Sequence, residues 1–188
     1  MESELKHTAR ILLNGGVILY PTDTVWGIGC DAMQKDAVDK IYKIKQRSET
    51  KSLILLVDSI ERLKNYVEDL SELAIKLINE AKKPLTIIYP KAKNLPLNIV
   101  AVDGSIAIRV VNHEFCKQLI QQINAPLVST SANRSGSLAP AKFDEITAEI
   151  KQQMDYIVDH RFDLSENSQP STLIKLAAKQ ERYEVIRP

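Results

Sequence analysis

Residues 129–136, Ser-Thr-Ser-Ala-Asn-Arg-Ser-Gly, form the segment of this chain best suited to chemistry. The segment follows directly on Pro-Leu-Val at residues 126–128, an apolar run typical of a short buried strand. Hydroxyls, an amide and free backbone N–H groups at the carboxyl end of a strand favour binding of an anion, above all a phosphate. A serine-rich surface loop, with Asn133 as a turn residue, explains the same pattern equally well.

A second polar segment, residues 21–29, follows the predicted strand at residues 17–20. In an extended chain Thr22 and Thr24 share one face and could bind a small polar ligand, whereas Asp23 points away from them or stabilises a turn. Residues 27–32 also fit the dinucleotide pattern G-x-G-x-x-A. That pattern requires a helix that begins within it, and the helical periodicity here begins only near residue 35, so a dinucleotide site is the weaker interpretation.

Three cations lie close together in the sequence: Lys45, Arg47 and Lys51. Lys45 continues the apolar stripe of a predicted helix, so its amine is expected to emerge beside the core. Cations at a helix C-terminus also stabilise the helix dipole by about 0.3–1 kcal/mol, which would explain Lys45 and Arg47 without a ligand. Lys51 adds a third charge to the same loop and favours a nearby anion.

Arg109 ends a segment, residues 105–109, in which apolar residues alternate strictly with small or charged ones. Ser105, Ala107 and Arg109 share one face, and the small neighbours leave room above the guanidinium. Its planar fork matches a carboxylate or a phosphate, although an exposed arginine on an edge strand is the rival interpretation. Similar hydroxyl and cationic positions, uninformative alone, occur near the C-terminus: Ser171, Thr172 and Arg187.

The elements that must position these side chains alternate along a chain of 188 residues with a formal charge of +1. The periodicity predicts helices at residues 5–13, 35–45, 70–81, 114–122 and 143–154. It predicts strands at residues 17–20, 53–57, 85–89, 106–110, 126–129, 156–158, 172–176 and 183–186. This order indicates an α/β protein with one twisted, mixed (parallel and antiparallel) open sheet flanked by helices.

Several classes of function are disfavoured. The balanced charge argues against a protein that coats polyanions, and the two cysteines and three scattered histidines predict neither a disulfide framework nor a protein-held metal. The phosphate-binding P-loop and the G-x-S-x-G nucleophile motif are missing from the sequence. Neither a secretory signal nor a membrane-length apolar run is visible, so we expect a cytoplasmic protein without membrane association.

The motifs, taken in order, resemble the YrdC/TsaC family of threonylcarbamoyl-AMP synthases. The family pattern P-T-[DE]-T-[VY]-[YW]-G-[LI] matches residues 21–28, and K-x-R matches residues 45–47. The arginine-bearing strand, the motif S-T-S-A-N-x-S-G and the motif S-T-[IL] match residues 105–109, 129–136 and 171–173. The resemblance implies the YrdC-like fold in its short form, a single domain over residues 1–188.

The resemblance also implies a reaction. L-threonine, bicarbonate and ATP would give threonylcarbamoyl-adenylate and diphosphate, the first step of threonylcarbamoyladenosine modification of tRNA. Nucleotidyl transfer of this kind requires mainly positioning and cations around the phosphates. Magnesium would arrive with ATP, and the product would pass to the downstream tRNA threonylcarbamoyl-transferase machinery.

Roles for individual residues follow from the same resemblance. The implied ATP contacts are Arg47, Lys51, Ser105, Ser131, Asn133 and Arg187. The implied threonine contacts are Thr24, Arg109, Ser129, Ser171 and Thr172, with Arg109 on the carboxylate. Lys45 and Arg47 are the implied catalytic residues, since both would neutralise phosphate charge; no metal ligand is implied.

The chain departs from the family pattern in two places. Ser48 replaces a frequent proline, and Ala81-Lys82-Lys83 stands where members often carry Trp-Pro-Gly. A related YciO branch lacks the K-x-R and S-x-N pairs; both are present here, which favours the synthase side.

Two other functions remain. A module that binds tRNA or double-stranded RNA, without synthase activity, could use a basic surface of Lys43, Lys45, Arg47, Lys51, Arg134 and Arg187. A carbamoyl-adenylate site of the hydrogenase-maturation type usually comes with acylphosphatase and zinc-finger regions, and 188 residues leave no room for them.

Overall fold

The computed structural model describes residues 1–46, 53–140, 142–163 and 169–188. Within these ranges the α-helices are α1 Glu2–Leu13, α2 Lys35–Lys45, α3 Ile60–Leu63, α4 Glu72–Glu80, α5 Glu114–Ile123 and α6 Ala148–Gln152. The strands are β1 Ile18–Tyr20, β2 Gly27–Gly29, β3 Ile54–Val57, β4 Leu85–Tyr89, β5 Ile106–Val110, β6 Leu127–Ser131, β7 Tyr156–Ile157, β8 Thr172–Leu176 and β9 Tyr183–Arg187. None of the helices described is long and apolar enough to cross a membrane.

The strands form one sheet in the order β7-β1-β2-β6-β3-β5-β4-β8-β9. Three neighbouring pairs are parallel, namely β1 with β7, β3 with β5 and β4 with β8. The other pairs, including β6 with both β2 and β3, are antiparallel. The predicted mixed, open sheet is confirmed.

Helices cover the two faces of the sheet unequally. Apolar side chains of α2 pack on one face in a core that extends from β1 to β8, whereas α1 and α5 pack on the other face. The second core takes its strand residues from β1, β3 and β6, and within the described chain none from β4, β5, β8 or β9. The part of that face formed by β4, β5, β8 and β9 is therefore left open for a cavity.

Two predictions about local structure are wrong. Residues 27–29, which were not among the predicted strands and fitted the start of a dinucleotide pattern, form the interior strand β2, and the next helix begins only at Lys35. The dinucleotide site is thereby excluded, because no helix begins within the pattern. The helix predicted at residues 143–154 is a 3₁₀ turn, Phe143–Glu145, followed by α6. Thr147 starts α6 afresh, since its hydroxyl accepts a hydrogen bond from the Ile150 N–H.

The close packing of Tyr20 explains why β2 contains glycine. The Tyr20 hydroxyl donates to the carbonyl oxygen of Val128 at 3.1 Å, which brings the ring across β2. A Cβ atom at Gly29 would lie 2.4 Å from that oxygen and 2.6 Å from the ring carbon Cε1 of Tyr20. Only glycine fits at this point of close approach.

Candidate active site

The uncovered half of the sheet forms a cavity of about 490 Å³, called cavity 1. Its wall combines hydroxyls, one amide and two guanidinium groups with apolar side chains. The polar lining residues are Thr24, Arg109, Ser129, Thr130, Ser131, Asn133, Ser137, Ser171 and Arg187. The predicted residues Thr24, Arg109, Ser129, Ser131, Asn133, Ser171 and Arg187 are thus brought together in one place.

A single row of cross-strand neighbours forms the floor of cavity 1. Ser129 of β6 pairs with Ile54 of β3, which pairs with Ala107 of β5, which pairs with Ile88 of β4. All four residues line the cavity. The small Ala107 side chain in the middle of the row leaves the space that its strand pattern predicted.

Arg109 lies at the inner end of cavity 1 and is only 3% exposed, so the rival interpretation of an exposed arginine is wrong. Its Nη2 atom lies 3.1 Å from Oδ1 of Asp23, and its Nη1 donates to the Thr24 hydroxyl at 3.2 Å. The second oxygen of Asp23 accepts a hydrogen bond from the Asn112 N–H at 2.9 Å. Sequence reasoning missed this role of Asp23, because the pairing joins residues 86 positions apart.

Thr22 and Thr24, in the motif at residues 21–28, share a face, as predicted. Their hydroxyl oxygens are 2.9 Å apart, and the Thr22 hydroxyl donates to the carbonyl of Val25 at 2.8 Å. With the Thr22 proton used in this way, the Thr24 hydroxyl donates to Thr22 and accepts from Arg109. The chain of hydrogen bonds fixes the rotamer of Thr24 and, through it, one side of the guanidinium.

A second arginine of cavity 1, Arg187, lies close to the C-terminus. Arg187 donates from Nε and Nη2 to the Ser171 carbonyl, at 3.0 and 2.8 Å. The Ser171 hydroxyl is 2.7 Å from that of Thr86, a buried residue that sequence reasoning did not select. Burial, together with the like charge of Arg109, lowers the pKa of Arg187. An anion placed between the two guanidinium groups would relieve this repulsion.

Lys45 organises the loop that begins at Ser131. Its side chain is 2% exposed, and Nζ donates to the Ser131 carbonyl and, at 3.0 Å, to Oδ1 of Asn133. The Ser131 hydroxyl donates to the same Oδ1 atom, and the Asn133 amide donates to the carbonyl of Ser137. The predicted emergence of Lys45 beside the core is confirmed. Its ammonium lies under the loop and does not line cavity 1, so contact with phosphate stays a prediction.

Besides Lys45, four of the predicted site residues are not placed in cavity 1. Ser105 is buried and its hydroxyl donates to Asp103 at 2.5 Å, which helps to lower the pKa of that carboxyl. Thr172 follows Ser171 on a strand whose side chains alternate, so Ser171 and Leu173 face the cavity and Thr172 does not. The other two, Arg47 and Lys51, lie outside the residues that the structure describes.

The charges of cavity 1 favour an anionic ligand. Arg109 and Arg187 both line it, and no carboxylate is found among the described lining residues. No cluster of three or more histidine, cysteine or acidic side chains able to hold a metal occurs in the described ranges. Positioned donors of this kind stabilise phosphate and carboxylate groups without supplying a general base.

Fold and site together define an α/β protein with an arginine- and hydroxyl-lined cavity on the uncovered part of one face of a mixed sheet. Residues 10–188 match the Sua5/YciO/YrdC family, described as "Telomere recombination", and the chain belongs to that family.

Relatives with a named activity align over almost the whole chain. The chain is 37% identical over 175 residues to the threonylcarbamoyl-AMP synthase of Pseudoalteromonas translucida (strain TAC 125), which covers 92% of each chain. It is 35% identical over 185 residues to the enzyme of the same name from Stutzerimonas stutzeri (strain A1501), with 98% of this chain and 96% of the relative covered.

Two solved structures share the fold. P. abyssi Sua5 complexed with L-threonine superposes with a TM-score of 0.88 at 26% identity, over 100% of this chain and 54% of that chain. The present chain therefore spans about half the length of that protein. E. coli YciO superposes with a TM-score of 0.85 at 25% identity, over 100% of this chain and 89% of that chain.

Proposed function

We propose that this chain is a threonylcarbamoyl-AMP synthase, which condenses L-threonine, bicarbonate and ATP to threonylcarbamoyl-adenylate and diphosphate. The observation that carries the proposal is the convergence of two arginines and the hydroxyls of three separated motifs on cavity 1. The identity of 37% to a synthase over 92% of the chain supports it. The likeness to a Sua5 structure that contains L-threonine supports the choice of amino acid.

Threonine binds at the Arg109 end of cavity 1. A guanidinium has five N–H donors, and the contacts with Asp23 and Thr24 leave others for a carboxylate. Asp23 balances the charge of Arg109, and the further positive charge of Arg187 nearby offsets the carboxylate of the substrate. Thr24, Ser129 and Ser171 supply hydroxyls for the remaining polar groups of the substrate.

ATP binds at the Ser131 end of cavity 1. Ser131 and Asn133 present a hydroxyl and an amide from a loop that Lys45 holds in place, and Arg187 faces the phosphates. We place Arg47 and Lys51 among the ATP contacts on the family motif. Magnesium enters bound to ATP, since the described lining residues offer it no carboxylate.

The chemistry is an in-line displacement at the α-phosphorus. The threonine amine and bicarbonate first give a carbamate, with a C–N bond formed, a C–O bond broken and water released. A carbamate oxygen then forms a bond to the α-phosphorus while the bond to diphosphate breaks. The electron pair leaves with diphosphate. Arg187 and the loop donors stabilise the negative charge that develops, so the protein needs to hold two substrates in line more than to transfer protons.

The test is diphosphate release measured with each substrate omitted in turn. We expect release that requires threonine, bicarbonate and ATP, and a rise of roughly tenfold or more in the KM for threonine in Arg109→Gln. Arg161→Gln, at an exposed position outside cavity 1, is the matched control. Steeply salt-dependent tRNA binding without threonine-dependent release would support the RNA-binding module instead and refute the synthase. A cytoplasmic location and the downstream tRNA-modifying partners stay predictions.

A further inference from the structure

A second cavity, of about 470 Å³, lies beside Asp23 and is called cavity 2. It is formed where α4 leads into β4 and where β5 leads into α5. Its lining residues are Asp23, Ile78, Ala81, Lys82, Lys83, Pro84, Leu85, Val110, Val111, Asn112 and Lys117. No residue is shared with cavity 1, and none of the synthase roles proposed above uses its lysines.

The charge of cavity 2 is strongly positive. Lys82, Lys83 and Lys117 contribute three ammonium groups to its wall, and Asp23 is the single acidic residue among the described residues that line it. The Asp23 carboxylate is already paired with Arg109 and bonded to the Asn112 N–H. Among the residues described, no acidic side chain forms an ion pair with any of the three lysines.

Stabilisation of helix ends does not account for all three lysines. Lys82 and Lys83 follow the C-terminus of α4, where a cation is favourable. Lys117, by contrast, lies in the first turns of α5, where the dipole disfavours a cation. Its Nζ donates to Oδ1 of Asn112 at 3.1 Å, a contact that keeps the charge at the cavity wall. Lys82 and Lys83 are also the positions at which the sequence departs from the Trp-Pro-Gly of the family pattern.

We propose that cavity 2 binds an inorganic oligophosphate, with diphosphate as the smallest member of the class. A compact ammonium group acts as a point charge toward phosphate oxygens, and three of them around one concave wall match a small anion that carries several charges. The start of α5 adds partial positive charge on the same side. Asp23 separates this anion from Arg109, so cavities 1 and 2 are adjacent but independent binding sites.

The experiment measures diphosphate binding by equilibrium dialysis of the full chain. Arg187→Gln is used as the background, because it removes a cation from cavity 1 and leaves cavity 2 intact. On this background we expect Lys82→Gln with Lys83→Gln to weaken binding by roughly tenfold or more, and Lys117→Gln alone to weaken it less. The control, Lys64→Gln with Lys76→Gln, removes two exposed charges outside cavity 2 and should leave the affinity within about twofold.

Three outcomes would contradict the proposal that cavity 2 binds diphosphate. Equal losses in the cavity 2 and control variants would mean that diphosphate responds to overall charge, and the proposal would be wrong. A drop in thermal midpoint of Lys82→Gln with Lys83→Gln, at unchanged affinity, would show that the lysines only stabilise the end of α4. Binding of a short RNA duplex through the same lysines, without binding of free diphosphate, would also overturn it.

Discussion

Arg109 and Asp23 form an ion pair inside the protein, with Nη2 3.1 Å from Oδ1 and side-chain exposures of 4% and 9%. The pair lies between the two cavities and orients the guanidinium toward cavity 1. Because of this position, Asp23 is a positioning residue for Arg109 of β5.

The first prediction concerns this pair. Asp23→Asn removes the carboxylate charge and leaves the Arg109 guanidinium buried without its partner. Breaking a buried ion pair in this way lowers the free energy of unfolding by about 3–5 kcal/mol in comparable sites. We expect the free energy of unfolding in urea to fall by roughly that amount, and the double variant Asp23→Asn/Arg109→Gln to recover part of it. Asp69→Asn, at an exposed position, is the control. Strictly additive losses in the double variant would show that the two side chains do not interact.

The second prediction concerns the lysine under the loop. Lys45→Met keeps the length of the buried stem but leaves the Ser131 carbonyl and the Asn133 amide oxygen without this donor. We expect a loss of stability of roughly 1–3 kcal/mol and a rise in the KM for ATP larger than that for threonine. Urea unfolding and steady-state kinetics measure the two effects. Lys43→Met, on the same helix but exposed, should change neither; equal rises in both KM values would contradict a role in positioning the loop.

The third prediction compares two glycines. Gly29→Ala places a Cβ atom 2.4 Å from a backbone oxygen, whereas Gly104→Ala meets nothing closer than 3.9 Å, although its φ is +80°. We expect Gly29→Ala to prevent folding or to lower the thermal midpoint sharply. Gly104→Ala should lower the free energy of unfolding only by the cost of placing alanine in the left-handed region, about 1–2 kcal/mol. Similar midpoints for the two variants would refute the steric explanation.

The fourth prediction is a dependence on pH. Burial lowers the pKa of His113 below its usual value of 6.5, and the hydrogen bond that Nε2 donates to the Phe162 carbonyl opposes this shift only in part. The buried Nδ1 atom has no hydrogen-bond partner among the described residues. The folded state therefore binds the proton more weakly than the unfolded state, so stability is full above the unfolded pKa and is lost as the pH falls below it.

Urea unfolding at about pH 7.5 and about pH 5.5 measures this effect. The difference in unfolding free energy between the two conditions should be smaller in His113→Asn than in the wild type. His160→Asn, at an exposed position, should keep the wild-type difference. The prediction fails if His113→Asn also keeps it.

The sequence predicted those elements whose pattern is local. α2, β4, β5 and β8 have the predicted limits, because apolar periodicity and a neighbouring turn determine each of them. β2 was missed because its two glycines suit a loop, and only the close approach of Tyr20 requires them. The helix predicted at residues 143–154 was wrong because the capping hydroxyl of Thr147 begins a separate, shorter helix.

The site could be predicted in part. The motifs identified seven residues that line cavity 1. Thr86 was missed because its role depends on the hydrogen bond with Ser171, which lies 85 residues away, and no sequence spacing connects the two residues. Asp23 was expected to point away from the threonines or to stabilise a turn, because its pairing with Arg109 also joins residues distant in the sequence. Thr172 was included because neighbouring residues in a motif cannot be told apart until the strand register is known.

The row of residues from Ser129 to Ile88 crosses four strands that are joined by both parallel and antiparallel pairing. A shift of one residue in any pair would turn the floor of cavity 1 to the other face of the sheet. Cavity 1 therefore cannot exist in a partly assembled sheet, and a ligand that fills it binds the native register alone. Substrates should consequently act as folding ligands that raise the thermal midpoint in proportion to the logarithm of their concentration.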